Sequence, residues 1–380
     1  MAHFRKISKN ALWLELYLSR CENLMPEQDV RLREASTILS ANAEASDVAA
    51  SWPAESWEAV RRAGVLRWCI SAAYGGDDLD SVELLCGYEQ LASACLTSCF
   101  ILSQREAACR RLRDSANEGL RRRLLPDLAQ GRSFATVGLS QLTTSRQHVQ
   151  PTLVATRAGE SFVLNGTIPW VTGAERAEHI IIGALLEEGQ QILAVLPRDS
   201  KGVRVAAPLR LMALEGSLTA EVRCENVALG NQWLLAGPAQ RVITLGKSGT
   251  GGLETSCLAL GLAGAAVEYL KTEAVARPEL RSSTERLEHT RQALRQEMHR
   301  LAKEGCTAEA AAGLRARANA LVLRSTQAAL TASKGTGFVR PHPAQRWARQ
   351  ALFFLVWSCP RPAADATLAY LAGPEGGLCQ

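Results

Sequence analysis

No stretch of the 380 residues approaches the roughly 20 consecutive apolar positions that a helix needs to cross a bilayer, so no membrane span is expected. Charge of one sign is not in excess either. The 43 basic and 38 acidic side chains leave a formal net charge of +5, too small to point to a nucleic acid or a membrane surface. Ala11–Leu16 is apolar but is broken by Glu15 and followed by no small-residue cleavage pattern, so a secretory signal is not expected. The 11 cysteines include no Cys-x-x-Cys pair. Cys95 and Cys99 lie one helical turn apart with no histidine near them in sequence. A metal site is therefore not expected; buried free thiols in a cytoplasmic protein are. There is also no phosphate-loop motif and no nucleophile with a base beside it.

What is present is a soluble globular composition, 47% hydrophobic and 21% charged. Its patterning divides the chain into three regions. Residues 1–131 read as helices: Leu32, Ala35, Leu39 and Ala43 recur at helical spacing, Pro53 opens a helix that Gly64 ends, and a long helical pattern runs from Ser81 to about Arg113. The basic run Arg110, Arg111, Arg113 and Arg121–Arg123 reads as a solvated helix face, with an anionic ligand or partner as the alternative. Residues 132–240 change to short β segments joined by turns, among them Ala158-Gly159-Glu160, with a second turn signal at Asn165-Gly166. A compact β-barrel or sandwich follows from that spacing. Residues 241–380 return to long helices, over Leu253–Val275, Thr284–Lys303, Thr307–Lys334 and Ala344–Trp357, the last ended by Pro360.

Several segments, in this order, carry a family likeness. They are Tyr74-Gly75-Gly76, Leu125-Pro126-Asp127-Leu128-Ala129-Gln130-Gly131, Asn165-Gly166 followed by Trp170-Val171-Thr172, and Leu214 to Leu229. Together they resemble the acyl-CoA dehydrogenase family over about residues 25–372. The resemblance implies an α+β fold with an N-terminal α-helical domain (1–131), a central β-barrel domain (132–240) and a C-terminal four-helix bundle (241–380). It also implies FAD as cofactor, an acyl-CoA-like small molecule as substrate, and a homodimer or homotetramer.

By position, the resemblance assigns Trp170, Val171 and Thr172 to the flavin ring; without it, Trp170 reads as a core aromatic. A second flavin segment, Thr-Glu-Pro-x-x-Gly-Ser-Asp in the family, corresponds to Ser140–Gln147. Ser140 and Gln141 fall at cofactor positions, and Ser145 and Arg146 at substrate positions. Arg277 stands where the family grips the FAD pyrophosphate, and Gly335 and Gly337 in its glycine loop. Arg346 and Arg349 either buttress acids or contact a ligand.

The general base of the family is a glutamate, but its position here holds Ser358, and no histidine follows His342. Some family members place the base at the start of the first bundle helix, which by count is Gly251, in a glycine lead-in. Glu254, one turn later, reads either as a first-turn acid complementing the helix or as a relocated base. Three readings follow: an FAD-dependent oxidoreductase on an acyl thioester, a flavin monooxygenase on the same scaffold, and a non-catalytic member.

Overall fold

A computed structural model of the protein describes residues 26–143, 152–243, 252–357 and 361–372. The helices of the first part are α1 (Pro26–Ala41), α2 (Ala43–Val48), α3 (Ala54–Arg62), α4 (Ser81–Ala94), α5 (Leu96–Arg113) and α6 (Glu118–Gln130). Local chemistry accounts for several ends. Asp80 caps α4 by accepting from the backbone N–H groups of Val82 and Glu83, while Asp80 N–H donates to Glu83 Oε2 at 2.9 Å, a reciprocal capping box. Gly131 ends α6 in the left-handed conformation, φ 68°.

The expected single helix over 81–113 is two. Cys95 adopts an extended conformation (φ −153°, ψ 105°) between α4 and α5. No Pro or Gly marks the break, because packing imposes it: α4 lies against the C-terminal bundle, while α5 also reaches the sheet.

The middle of the chain forms one eight-stranded mixed sheet in the order β6-β7-β3-β2-β4-β5-β8, with β1 pairing in parallel with β4. The strands are β1 (Ala135–Gly138), β2 (Leu153–Ala158), β3 (Ser161–Val171), β4 (His179–Leu185), β5 (Gln191–Pro197), β6 (Val203–Val205), β7 (Ala220–Gly230) and β8 (Leu234–Ala239). A one-turn helix, α7 (Ser140–Thr143), follows β1. The β2–β3 turn falls at Ala158–Ser161 as expected. Asn165-Gly166 is not a turn. It lies inside β3, where the register against β7 shifts between Leu164 and Gly166. Gly166 has φ 125°, and a Cβ there would sit 2.1 Å from Thr152 O, so a bulge rather than a hairpin uses this glycine.

Four long helices and a terminal one complete the chain: α8 (Glu254–Ala276), α9 (Arg281–Glu304), α10 (Ala308–Gly337), α11 (Pro343–Phe353) and α12 (Arg361–Ala372). The small residues of α8 let it approach α4 closely; a Cβ on Gly261 would lie 2.4 Å from Glu89 O. The last apolar helix ends at Phe353 rather than Trp357. Lys334 interrupts α10 with φ 53° and ψ −150°. No described helix is long and apolar enough to cross a membrane. All described cysteines are free and, Cys306 apart, buried.

Candidate functional site

The two segments expected at a flavin converge. The C-terminal end of β1 lies against β3, and a Cβ on Gly138 would come within 2.5 Å of Ile168 and 3.1 Å of Val171. Ser140 follows at the start of α7. Its Oγ is buried with no hydrogen-bond partner. A buried hydroxyl without a partner is costly, and it is the kind of group that a ligand satisfies.

Across from it, Val171 is fully buried, whereas Trp170 is 54% exposed, so the core-aromatic reading of Trp170 does not hold. Thr172 is buried, and its Oγ1 lies 3.2 Å from Thr219 Oγ1, which in turn lies 2.9 Å from Ser217 Oγ. Behind the turn, Trp52, Trp57 and Phe134 meet edge to face with centroids 5.4 Å apart, close against Gly173. Sequence reasoning missed Ser217, Thr219 and this aromatic support. Their only signal was a pair of hydroxyls before a strand and scattered rings.

The far end of the bundle brings together another predicted set. Arg277 donates Nη2 to Glu273 at 2.6 Å and Nη1 to Ala332 O at 2.8 Å, at the end of α10. The break at Lys334 follows at once, with Gly335 exposed and nothing near the place of its missing Cβ. Gly337 is buried; a Cβ there would lie 2.3 Å from Ser333 Cβ. Arg277 is thus partly committed within the chain, while the Gly335 backbone remains open to approach.

Arg346 and Arg349 buttress acids. Arg346 pairs with Glu44 at 3.1 Å and Arg349 with Asp47 at 2.7 Å, docking α11 on α2. His342 caps α11, its Nδ1 accepting from Ala344 N–H at 3.2 Å. Burial, reinforced by Arg346, lowers the His342 pKa, although Glu273 opposes this. Burial likewise lowers that of His179, whose Nδ1 is buried without a partner. The folded protein therefore binds fewer protons than the unfolded chain at these sites. Stability is fully present above the ordinary histidine pKa of about 6.5 and is lost as the pH falls below it. Urea midpoints are expected to drop between pH 7.5 and pH 5, and His342→Asn, which keeps a cap, should flatten part of that slope.

Glu254 is in the first turn of α8, as the helix-complementing reading has it. It also pairs with Arg110 at 2.7 Å. Arg110 is buried, which corrects the reading of its run as wholly solvated: this side chain faces α8, where a carboxylate compensates its charge. Gln141 lies on α7. Ser145, Arg146, Gly251 and Ser358 lie outside the described residues. Among the described residues, no group of His, Cys, Asp and Glu is arranged to hold a metal ion.

Residues 29–132 match the profile of the acyl-CoA dehydrogenase N-terminal domain. A probable acyl-CoA dehydrogenase of Bacillus subtilis, YngJ, is 24% identical over 237 residues, covering 60% of this chain and 62% of that relative. The chain thus spans about three fifths of the curated relatives that it matches first. A glutaryl-CoA dehydrogenase from Mycobacterium smegmatis, solved with FADH2, superposes with a TM-score of 0.79 at 17% identity, over 95% of this chain and 98% of that one. A dibenzothiophene monooxygenase from Paenibacillus superposes with a TM-score of 0.75 at 18% identity, over 91% and 97%. The shared fold is thus found in a dehydrogenase and in a monooxygenase. Residues 29–132 thus match an acyl-CoA dehydrogenase N-terminal domain, and the chain as a whole has the fold of the solved acyl-CoA dehydrogenases.

Proposed function

We propose that the protein binds FAD and acts as a flavin-dependent oxidoreductase on an acyl-CoA or a similar acyl thioester. The observation that carries this reading is the unpartnered, buried Ser140 hydroxyl at the sheet end where Trp170 and Thr172 emerge. A flavin edge there gives Ser140 its missing partner. The exposed Trp170 indole offers a face for a planar ring, and the Thr172–Thr219–Ser217 hydroxyl chain supplies a donor held in place. Arg277 and the open Gly335 backbone suit the phosphate end of such a cofactor. Bound, FAD supplies the hydride acceptor. We further expect a homodimer or homotetramer in the cytoplasm.

A second reading, a flavin monooxygenase, is favoured by one pairing. Glu254, the carboxylate that a relocated base needs, is the counter-ion of buried Arg110, and position 358 is a serine. A monooxygenase requires no base for an α proton.

The absorption spectrum of the purified protein separates these readings from a non-catalytic one. Flavin bands are expected, and their absence even after added FAD sinks both enzyme readings. Ser140→Ala should weaken FAD binding about tenfold, the worth of one buried hydrogen bond, as read by quenching of flavin fluorescence. Anaerobic bleaching by an acyl-CoA supports dehydrogenation, and bleaching that persists in Glu254→Gln excludes Glu254 as the base. Reduction only by an external flavin reductase, followed by oxygen insertion, supports the monooxygenase.

A further inference from the structure

The junction of α4, α5 and the start of α8 holds a charge cluster that the flavin reading does not use. Arg110 is 4% exposed, and its Nη2 meets Glu254. Its Nε and Nη1 are also buried, with no hydrogen-bond partner. Charged donors buried without an acceptor carry the full desolvation penalty.

The neighbouring carboxylates are already taken. Glu106 pairs with buried Arg105 and accepts from the Tyr88 hydroxyl at 3.3 Å. Asp114 pairs with Arg113 at 2.8 Å. Arg111 is held only through Nη1, on Ala107 O at 2.9 Å. Burial and the like charge of Arg110 pull the Arg111 pKa down to about 10, against Glu254 and Asp114. Arg105, Arg110, Arg111 and Arg113 therefore face Glu106, Asp114 and Glu254, one cation in excess. The C-terminal dipole of α5 offsets part of that excess, and the N-terminal dipole of α8 restores it.

We infer that this junction is an anion site that takes one carboxylate, on the open N–H groups of Arg110 with Arg111 as the second cation. The carboxylate belongs either to a small free acid or to the far end of a larger ligand such as an ω-carboxylated acyl thioester. A neutral group of the same shape is refused, because it leaves both the excess charge and the N–H groups unanswered.

The test uses the full-length protein at constant ionic strength. Acetate is compared with acetamide, and adipoyl-CoA with its ω-amide, by calorimetric titration. The acetate arm needs no flavin, so it stands or falls apart from the proposed function. Preference for acetate identifies a free acid, whereas preference for adipoyl-CoA alone identifies the tail of a larger ligand. In either case Arg110→Gln should lose at least tenfold in affinity, and Arg111→Gln several-fold. Glu254→Gln, which adds to the cation excess, should bind about tenfold more tightly. If Arg110→Gln does not fold, Glu254→Gln decides. Tighter binding upholds the site; unchanged or weaker binding overturns it. So does the absence of any preference for the carboxylate over its neutral analogue in both pairs.

Discussion

Asp47→Ala is expected to cost about 3–5 kcal/mol of unfolding free energy, the usual range for breaking a buried ion pair from one side. Asp47 is fully buried near the end of α2. One oxygen accepts from Leu214 N–H at 3.0 Å and from Gln350 Nε2 at 2.8 Å, and the other lies 2.7 Å from Arg349 Nη1. A single carboxylate thus joins the N-terminal helices, the loop before β7 and helix α11. The loop continues through Ser217 and Thr219 to the hydroxyl chain at Thr172. The substitution should therefore loosen the candidate flavin site as well as the fold. Urea unfolding gives the first effect and FAD affinity the second. A loss below about 1 kcal/mol would show that solvent reaches Arg349 when its partner is removed. Asp47→Asn, which keeps the hydrogen-bonding shape, should cost less.

The second large effect is expected at Glu89→Ala. Glu89 is 2% exposed on α4, and it receives Arg291 at 2.8 Å and Arg295 at 3.0 Å from α9. Arg291 keeps Glu288 at 2.8 Å after the substitution, and Arg295 is a quarter exposed and can turn to water. The loss should therefore fall at the low end of the same range, about 3 kcal/mol. Replacing Glu89 and Arg291 together by Leu and Met should recover much of it, because well-packed apolar groups avoid the desolvation of both charges. Equal losses in the single and double variants would mean that the pair is held by packing rather than by charge. The comparison is a double-mutant cycle in urea.

These two carboxylates show how the C-terminal helices are held to the N-terminal ones. Arg346 and Arg349 are spent on that docking, through Glu44 and Asp47, and Glu254 is spent on Arg110. Residues that looked available for ligand chemistry thus serve as counter-ions. Ser140 differs: its hydroxyl is buried and still open.

Local rules were legible in the sequence wherever a residue acts on its own neighbours. The helical spacing of Leu32, Ala35 and Leu39, the Gly64 and Gly131 stops and the Ala158-Gly159-Glu160 turn all required only nearby residues. The order of helices, strands and helices followed from the same periodicities, and the family likeness rested on short segments spaced along that order. Other features were decided by packing between distant segments. Asn165-Gly166 became a bulge because Thr152 runs against it, and Cys95 broke a helix that no Pro or Gly marks. Above all, the arginine run at 110–113 reads as solvated when only its own helix is considered. Only the approach of α8 shows that Arg110 is buried, paired once and left with its Nε and Nη1 nitrogens unanswered. Charge compensation depends on distance through space, and sequence spacing does not encode it.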